Sequence, residues 1–360
     1  MSFITNIRSV AKYESKILVR SWFFRIFTLL AVVFLGFFNF AMMLMEDNFG
    51  LWFAKSVSSN IPYLNLLLLN TGQAVVAVFL SSEFLKRDKK LDTSEVFYVR
   101  PLSNAEYVVG KIWGNLRVFL FLNLLVLAIV LAFNFMASGV AVDLPAYLVY
   151  FFLISIPTLI FIIGLSIFLM LLLKNQALTF ILLLGYIGLT LFYIQDKFYY
   201  LFDYMVYNLP LFKSTIVGFS NLELILNHRA IYFFAGLGFI FFTIFLFKRL
   251  PNARRSHYPW LFLSFCMFLL MGTAGFRHVR SILREGEMRA LYTSINNKYV
   301  YEPKMAIDYY DISVEQKSET IRSVVGMEGT ALAASEVFIF CLNPGLRVEE
   351  VKDGEKLLNF

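Results

Sequence analysis

The side chains that could do chemistry inside the apolar part of this chain are amides and hydroxyls. Asn65, Asn70, Thr71 and Gln73 fall within one apolar stretch, Asn39 in an earlier one and Asn123 in a later one. Asn70 and Gln73 are three apart and share a helix face. Amides in such segments hydrogen-bond between helices, or line a polar path through them; Asn65, Asn70, Gln73 and Asn123 are the candidates for that lining. No carboxylate or histidine lies in the apolar cores, which disfavours ion-coupled transport, since that mechanism places ionisable groups mid-membrane. There is no G-x-x-x-x-G-K-[ST], so the chain has no phosphate cradle of its own. There is no H-E-x-x-H, and His228, His257 and His278 are widely separated in sequence near the ends of apolar segments, where solvated or interfacial imidazoles are expected. G-x-S-x-G is absent as well. These residues give no catalytic site, no metal site and no bound cofactor.

The elements that must carry these groups follow from composition. Of 360 residues, 59% are hydrophobic and 16% charged, with 41 Phe and 19 Tyr. That leaves too little polar surface to coat a water-soluble globule, and excludes a soluble enzyme. Seven stretches reach the roughly 20 apolar residues that a transmembrane helix needs: 27–45, 61–81, 112–136, 144–173, 177–193, 231–247 and 260–276. The fold class is therefore an all-α polytopic membrane protein of about seven spans, with an interfacial helix before them and a small β-rich segment after them. Residues 1–26 form the interfacial helix, 27–250 a six-span domain, 251–276 the seventh span and 277–360 an outer segment.

Charge gives the orientation. The net charge is +7, but residues 1–276 hold 21 Lys/Arg against 12 Asp/Glu, while 277–360 hold 11 against 13. With the N-terminus inside, 17 basic residues fall on inner segments and only Lys55, Lys197, Lys213 and Arg229 on outer ones. By the positive-inside rule the N-terminus is cytoplasmic and residues 277–360 are extracytoplasmic. The basic excess thus belongs to the membrane surface, and nucleic acid is not an expected partner. Cys266 and Cys341 sit in different contexts and do not suggest a disulfide.

Two inner segments stand out. In FITNIRSVAKYESKILVR, residues 3–20, Phe3, Ile7, Val10, Ala11, Glu14, Ile17 and Leu18 recur at helical spacing with basic residues between; this is the pattern of a helix lying in the interface. The loop Glu83–Lys111 has 29 residues, a basic run at Lys86–Lys90 and a turn at Arg100-Pro101. Within it Ser103-Asn104-Ala105-Glu106 reads as a capping box that starts the third span. A mere connection needs about half that length, so the loop is suited to docking a cytoplasmic partner. Gly110-x-x-x-Gly114 beyond it is a helix-packing notch. Pro157, Gly164, Gly185 and Gly188 predict kinks or close contacts.

On these residues the chain resembles the membrane subunit of an ABC-2 type transporter. The resemblance rests on the basic amphipathic helix, on Glu83 and Asp92-Thr93, on Arg100-Pro101-Leu102-Ser103, and on Glu106-Tyr107-Val108-Val109-Gly110-Lys111. It covers about Met1 to Phe247. It implies a permease in the bacterial inner membrane and a separate ABC ATPase that consumes the ATP. It also implies coupling through Glu83, Asp92, Arg100, Pro101, Glu106 and Lys111, and a homodimer or a paired permease in the bilayer.

The outer part differs. Residues 195–229 are aromatic, broken at Asn208-Leu209-Pro210, and predict one or two short interfacial helices. Arg277–Leu291 reads as a charged helix. Met305–Gln316, Glu336–Leu342 and Leu346–Val351 read as strands, with a turn at Asn343-Pro344-Gly345 and a hairpin turn at Lys352-Asp353-Gly354-Glu355. The L-N-P-G-L-x-V pattern here resembles the opening strands of the β-sandwich of aminopeptidase N-like enzymes. A bacterial permease fused to such a domain is then the expected parent, with this chain a truncated or split front part that lacks the zinc-binding helix. The competing functional class is a membrane anchor displaying that outer domain.

Overall fold

The computed structural model describes residues 3–44, 57–82, 102–136, 142–194, 196–214, 218–219, 221–247, 258–302, 305–317, 320–335, 337–340, 342–343 and 345–360. Of the coupling candidates, Glu83, Asp92, Arg100 and Pro101 lie outside these residues, as do His257 and Cys341. The chain divides into two compact units, Met1–Ile282 and Leu283–Phe360.

The first unit is helical: α1 (Phe3–Arg20), α2 (Trp22–Leu44), α3 (Asn60–Ser82), α4 (Asn104–Met136), α5 (Leu144–Tyr150), α6 (Ile156–Leu173), α7 (Gln176–Leu189), α8 (Leu222–Leu246) and the first part of α9 (Tyr258–Lys298). Among the described residues seven helical segments are long and apolar enough to cross a membrane, as the composition requires. The core is built from α3, α4, α6 and α8, whose inward faces carry Leu66, Phe119, Ile162 and Ile225. The flanking helices α2 and α9 bury few residues and leave many large apolar side chains exposed, among them Leu29, Phe37, Phe262 and Phe265.

Local chemistry sets the boundaries. Ser103 caps α4 as expected: the Glu106 amide donates to Ser103 Oγ at 3.2 Å, and the Ser103 amide donates to Glu106 Oε2 at 2.6 Å. Helix α6 ends where Lys174 adopts a left-handed conformation, φ 53°. Asn175 then caps α7, accepting from the amides of Ala177 and Leu178 at 3.0 and 3.2 Å. The stretch expected as one helix from 144 to 173 is interrupted by a π-helical turn, Phe151–Ser155, just before Pro157, which cannot donate to the carbonyl four residues back.

Gly164 and Gly236 make α6 and α8 cross backbone to backbone. A Cβ at Gly164 would lie 2.7 Å from the Gly236 oxygen, and one at Gly236 2.7 Å from the Ile160 oxygen. Gly185 and Gly188 do not share this role, for nothing lies within 4 Å of a Cβ built at either.

Two expectations about residues 195–229 need correction. Residues 196–214 hold a single three-residue turn, Phe198–Tyr200, and not interfacial helices. Their apolar side chains Tyr204, Met205, Val206, Leu209 and Leu211 are fully buried, so the loop packs into the bundle. Helix α8 starts nine residues before the expected span, which makes Arg229 a buried helix residue and not an outer-loop charge.

In the second unit β1 (Met305–Lys317) and β2 (Thr320–Ala331) pair antiparallel, Ile312 opposite Val325. The strand Thr320–Ala331 was not foreseen. The described residues of 336–342, and Leu346–Val351, are not strand; Val351 accepts a backbone bond from the Leu358 amide at 2.9 Å. The hairpin turn is present: β3 (Lys352–Asp353) pairs with β4 (Lys356–Leu357) around Gly354, φ 58°.

Candidate functional site

Two groups of the sequence-selected residues come together, at different depths of the bundle. The first is the foot of α4. Helix α1 lies along it, burying Ala11, Glu14, Ser15 and Leu18. The Gly110-x-x-x-Gly114 notch admits it: a Cβ at Gly110 would stand 2.7 Å from Val10 Cβ, and one at Gly114 would stand 2.7 Å from Glu14 Cβ and 2.8 Å from the Ala11 oxygen. Backbone contact this close needs glycine. Polar groups lock the contact. Ser15 Oγ donates to the Gly114 carbonyl at 2.6 Å, and Arg117 donates to the Ala11 carbonyl at 2.8 Å and also to Ser15 Oγ. Asn6 Nδ2 donates to Glu106 Oε1 at 2.8 Å.

At the centre of this foot Lys111 Nζ lies 2.9 Å from Glu14 Oε1, both side chains at most 4% exposed. The Lys111 ammonium also faces the Tyr107 ring at 5.1 Å. The amphipathic helix expected in the interface therefore turns Ala11, Glu14 and Leu18 of its apolar face towards protein. Glu14 was visible as the one acid on that face; a lone acid there calls for a cation on whatever helix covers it. Of the coupling candidates, Glu106 and Lys111 are thus in contact with α1.

The second group is the amide cluster. Gln73 Nε2 donates to Asn70 Oδ1 at 2.6 Å, Asn123 Nδ2 to Gln73 Oε1 at 2.8 Å, and Asn70 Nδ2 to Asn123 Oδ1 at 3.3 Å. Ser155 closes the set, donating to Asn123 Oδ1 at 2.8 Å. All four side chains are fully buried, and each is satisfied by another helix, as buried polar groups must be. Asn65 does not join them. It pairs reciprocally with Asn39 at 2.7 and 3.1 Å, tying α2 to α3. Ser155 carries no sequence signal for this role, because the π-helical turn is what presents it to Asn123.

A third group, of charged and imidazole side chains, gathers around residues 196–214. Arg229 Nε donates to the Leu153 carbonyl at 2.6 Å, the acceptor that Pro157 leaves vacant. Its other nitrogens donate to the Tyr204 carbonyl at 3.0 Å and to Thr158 Oγ1 at 2.8 Å. The loop itself is folded around Asp203, which accepts from the amides of Tyr207 and Asn208, each at 2.8 Å. Burial pushes the Asp203 carboxyl above its ordinary range, against the opposing pull of those amides and of Arg229. Far from being solvated, His228 and His278 are fully buried, with ring centres 5.1 Å apart. Their Nε2 atoms donate to the carbonyls of Tyr200 and Tyr199 at 2.9 and 2.8 Å. Those tyrosines have φ near +60°, so two helices hold a left-handed turn that isolated residues of this type avoid.

Among the described residues no three His, Cys, Asp or Glu side chains gather as a metal site would need. The arrangement offers hydrogen-bonded locks at two depths and a packed foot at the start of α4, which follows the segment 83–101 in sequence. No family model and no curated protein matches the chain.

Proposed function

We propose that the chain is the membrane-spanning permease subunit of an ATP-driven exporter of the ABC-2 type. A separate ATPase docks on the loop 83–111, its push reaching α1 through the foot of α4, and two copies or two related permeases form the path. The observation that carries this reading is the foot of α4. The long loop leads directly into a helix start that is capped by Ser103 and Glu106 and joined to α1 through Lys111–Glu14 and the glycine notch. A push on the loop or on α1 then moves both with the core helix α4, whose Asn123 belongs to the amide cluster. A rigid lever of this kind is what coupling a remote engine to a helix bundle demands.

The test is affinity purification of the full chain from its native membrane, followed by assay of ATP hydrolysis in the eluate. Replacing residues 88–100 with a Gly-Ser linker of equal length should remove the co-purifying ATPase. An eluate that keeps it at wild-type level would refute the coupling role of the loop.

The compact second unit, Leu283–Phe360, favours a second reading in which the bundle anchors an outer aminopeptidase-like domain. A neighbouring reading frame that continues the β-strands into an H-E-x-x-H helix would favour it, and a neighbouring ATPase frame would favour export.

A further inference from the structure

The exposed side of α1 is built differently from the side that meets α4. Arg8, Lys12, Lys16 and Arg20 recur every four residues and are all exposed. They form one row about 18 Å long at 1.5 Å per residue. The only acid of the helix, Glu14, is turned away into the Lys111 pair. Among the described residues none of the four cations has an ion-pair partner.

The row is flanked by exposed apolar side chains, Phe3, Ile4, Tyr13 and Val19. It ends two residues before α2 opens with exposed Trp22, Phe23 and Ile26. Arg25 bridges the junction: its Nε donates to the Val19 carbonyl at 3.0 Å and its guanidinium faces the Trp22 ring at 5.8 Å. Trp at the mouth of an apolar helix marks headgroup depth, so the row stands at the level of lipid phosphates.

We propose that the row Arg8, Lys12, Lys16 and Arg20 is a binding surface for anionic lipid headgroups. The chemistry is phosphate recognition by cations whose neighbours sit in the acyl boundary. An acidic protein surface would satisfy the charges, but it would leave Phe3, Ile4, Tyr13 and Val19 facing a polar partner. The glycine notch contributes by fixing α1, so that the four cations are presented without a further ordering cost. The proposal needs α2 to cross the bilayer and does not depend on the exporter reading.

The experiment is native mass spectrometry of the purified full chain in detergent, with added phosphatidylglycerol or phosphatidylcholine. Each basic side chain near an anionic surface contributes about fivefold to binding. Wild type should therefore retain phosphatidylglycerol at least about tenfold more than phosphatidylcholine. The quadruple variant R8Q/K12Q/K16Q/R20Q should lose that preference while its melting temperature stays that of wild type, since all four side chains are exposed. If the variant does not fold, wild type alone decides: its phosphatidylglycerol retention must fall steeply with added salt. Equal retention of both lipids by wild type, or retention without salt dependence, overturns the proposal. So does a folded quadruple variant that keeps the preference, or one that loses an acidic co-purifying protein and no lipid.

Discussion

Lys111 and Glu14 illustrate how much a single buried contact decides in this bundle. Each is almost wholly removed from solvent and 2.9 Å from the other. Removing one charge strands its partner, which costs about 3–5 kcal/mol, whereas replacing both with apolar groups is often neutral. Lys111→Met should accordingly lower stability by about 3 kcal/mol, and adding Glu14→Leu should restore most of it; denaturant unfolding in micelles would read this out. An additive loss would mean the two charges act independently. The amide cluster predicts a smaller effect. Interhelical hydrogen bonds in membranes contribute about 0.6 kcal/mol each, at most about 1.7. Asn123 joins Gln73, Asn70 and Ser155, so we expect Asn123→Leu to cost about 1–2 kcal/mol in the same assay. The helical spacing of Asn70 and Gln73 was legible in the sequence, but their closure with Asn123 and Ser155 was not. Spacing along one helix says which groups share a face, and nothing about which helix that face meets.

Among the elements, α1 and the broken α5–α6 segment are the most informative. The amphipathic pattern of α1 identified the helix correctly but not its neighbour, because an apolar face fits lipid and protein equally well in sequence. The glycine notch decides for protein. Gly114→Val would drive a side chain into Glu14 and Ala11, and hydrogen exchange across residues 3–20 should rise at least tenfold while α6 stays protected. Unchanged protection of α1 would show that the notch does not hold it. The break before Pro157 gives a second prediction. Arg229 occupies the Leu153 carbonyl that the proline leaves unpaired. Arg229→Met should destabilise by about 3 kcal/mol, since charge-assisted hydrogen bonds contribute about 1.5–3 kcal/mol each. Pro157→Ala in that background should recover about 1 kcal/mol, because the restored amide can donate to Leu153. Thermal unfolding in detergent checks both, and no recovery in the double variant would mean the vacant carbonyl is not what Arg229 answers. Read as a loop charge, Arg229 counted towards orientation; tertiary packing gave it a structural task instead. Lys111 and Arg117 are similar, counted as inner basic residues yet bound to α1.

At the scale of the molecule the helical bundle and the residues Leu283–Phe360 are separate compact units. The contacts that define the bundle therefore fall within Met1–Ile282. We expect a chain ending at residue 282 to retain the melting temperature of the full chain within about 2 °C, measured by light scattering and tryptophan fluorescence in micelles. A drop of 10 °C would mean that the second unit supports the bundle. That unit has its own weakness: among the described residues β1 and β2 pair as a two-stranded sheet, and Tyr310, Ile312 and Val325 on it are exposed. Two strands are marginal in water without a cover.

Composition alone determined that this chain is a polytopic membrane protein, since 59% hydrophobic residues in seven long runs have no other stable arrangement. Local pattern determined the capping box at Ser103, the helix over residues 3–20 and the hairpin at Gly354, each of which depends on residues within a few positions of one another. Only the tertiary structure decided what the polar groups do. It paired Lys111 with Glu14, closed Ser155 onto the amides, sent Arg229 to the broken helix and buried His228 against His278. The reason is physical: in an apolar bundle a polar side chain must find a partner, and the partner is set by which helices pack together, across separations that no sequence period records.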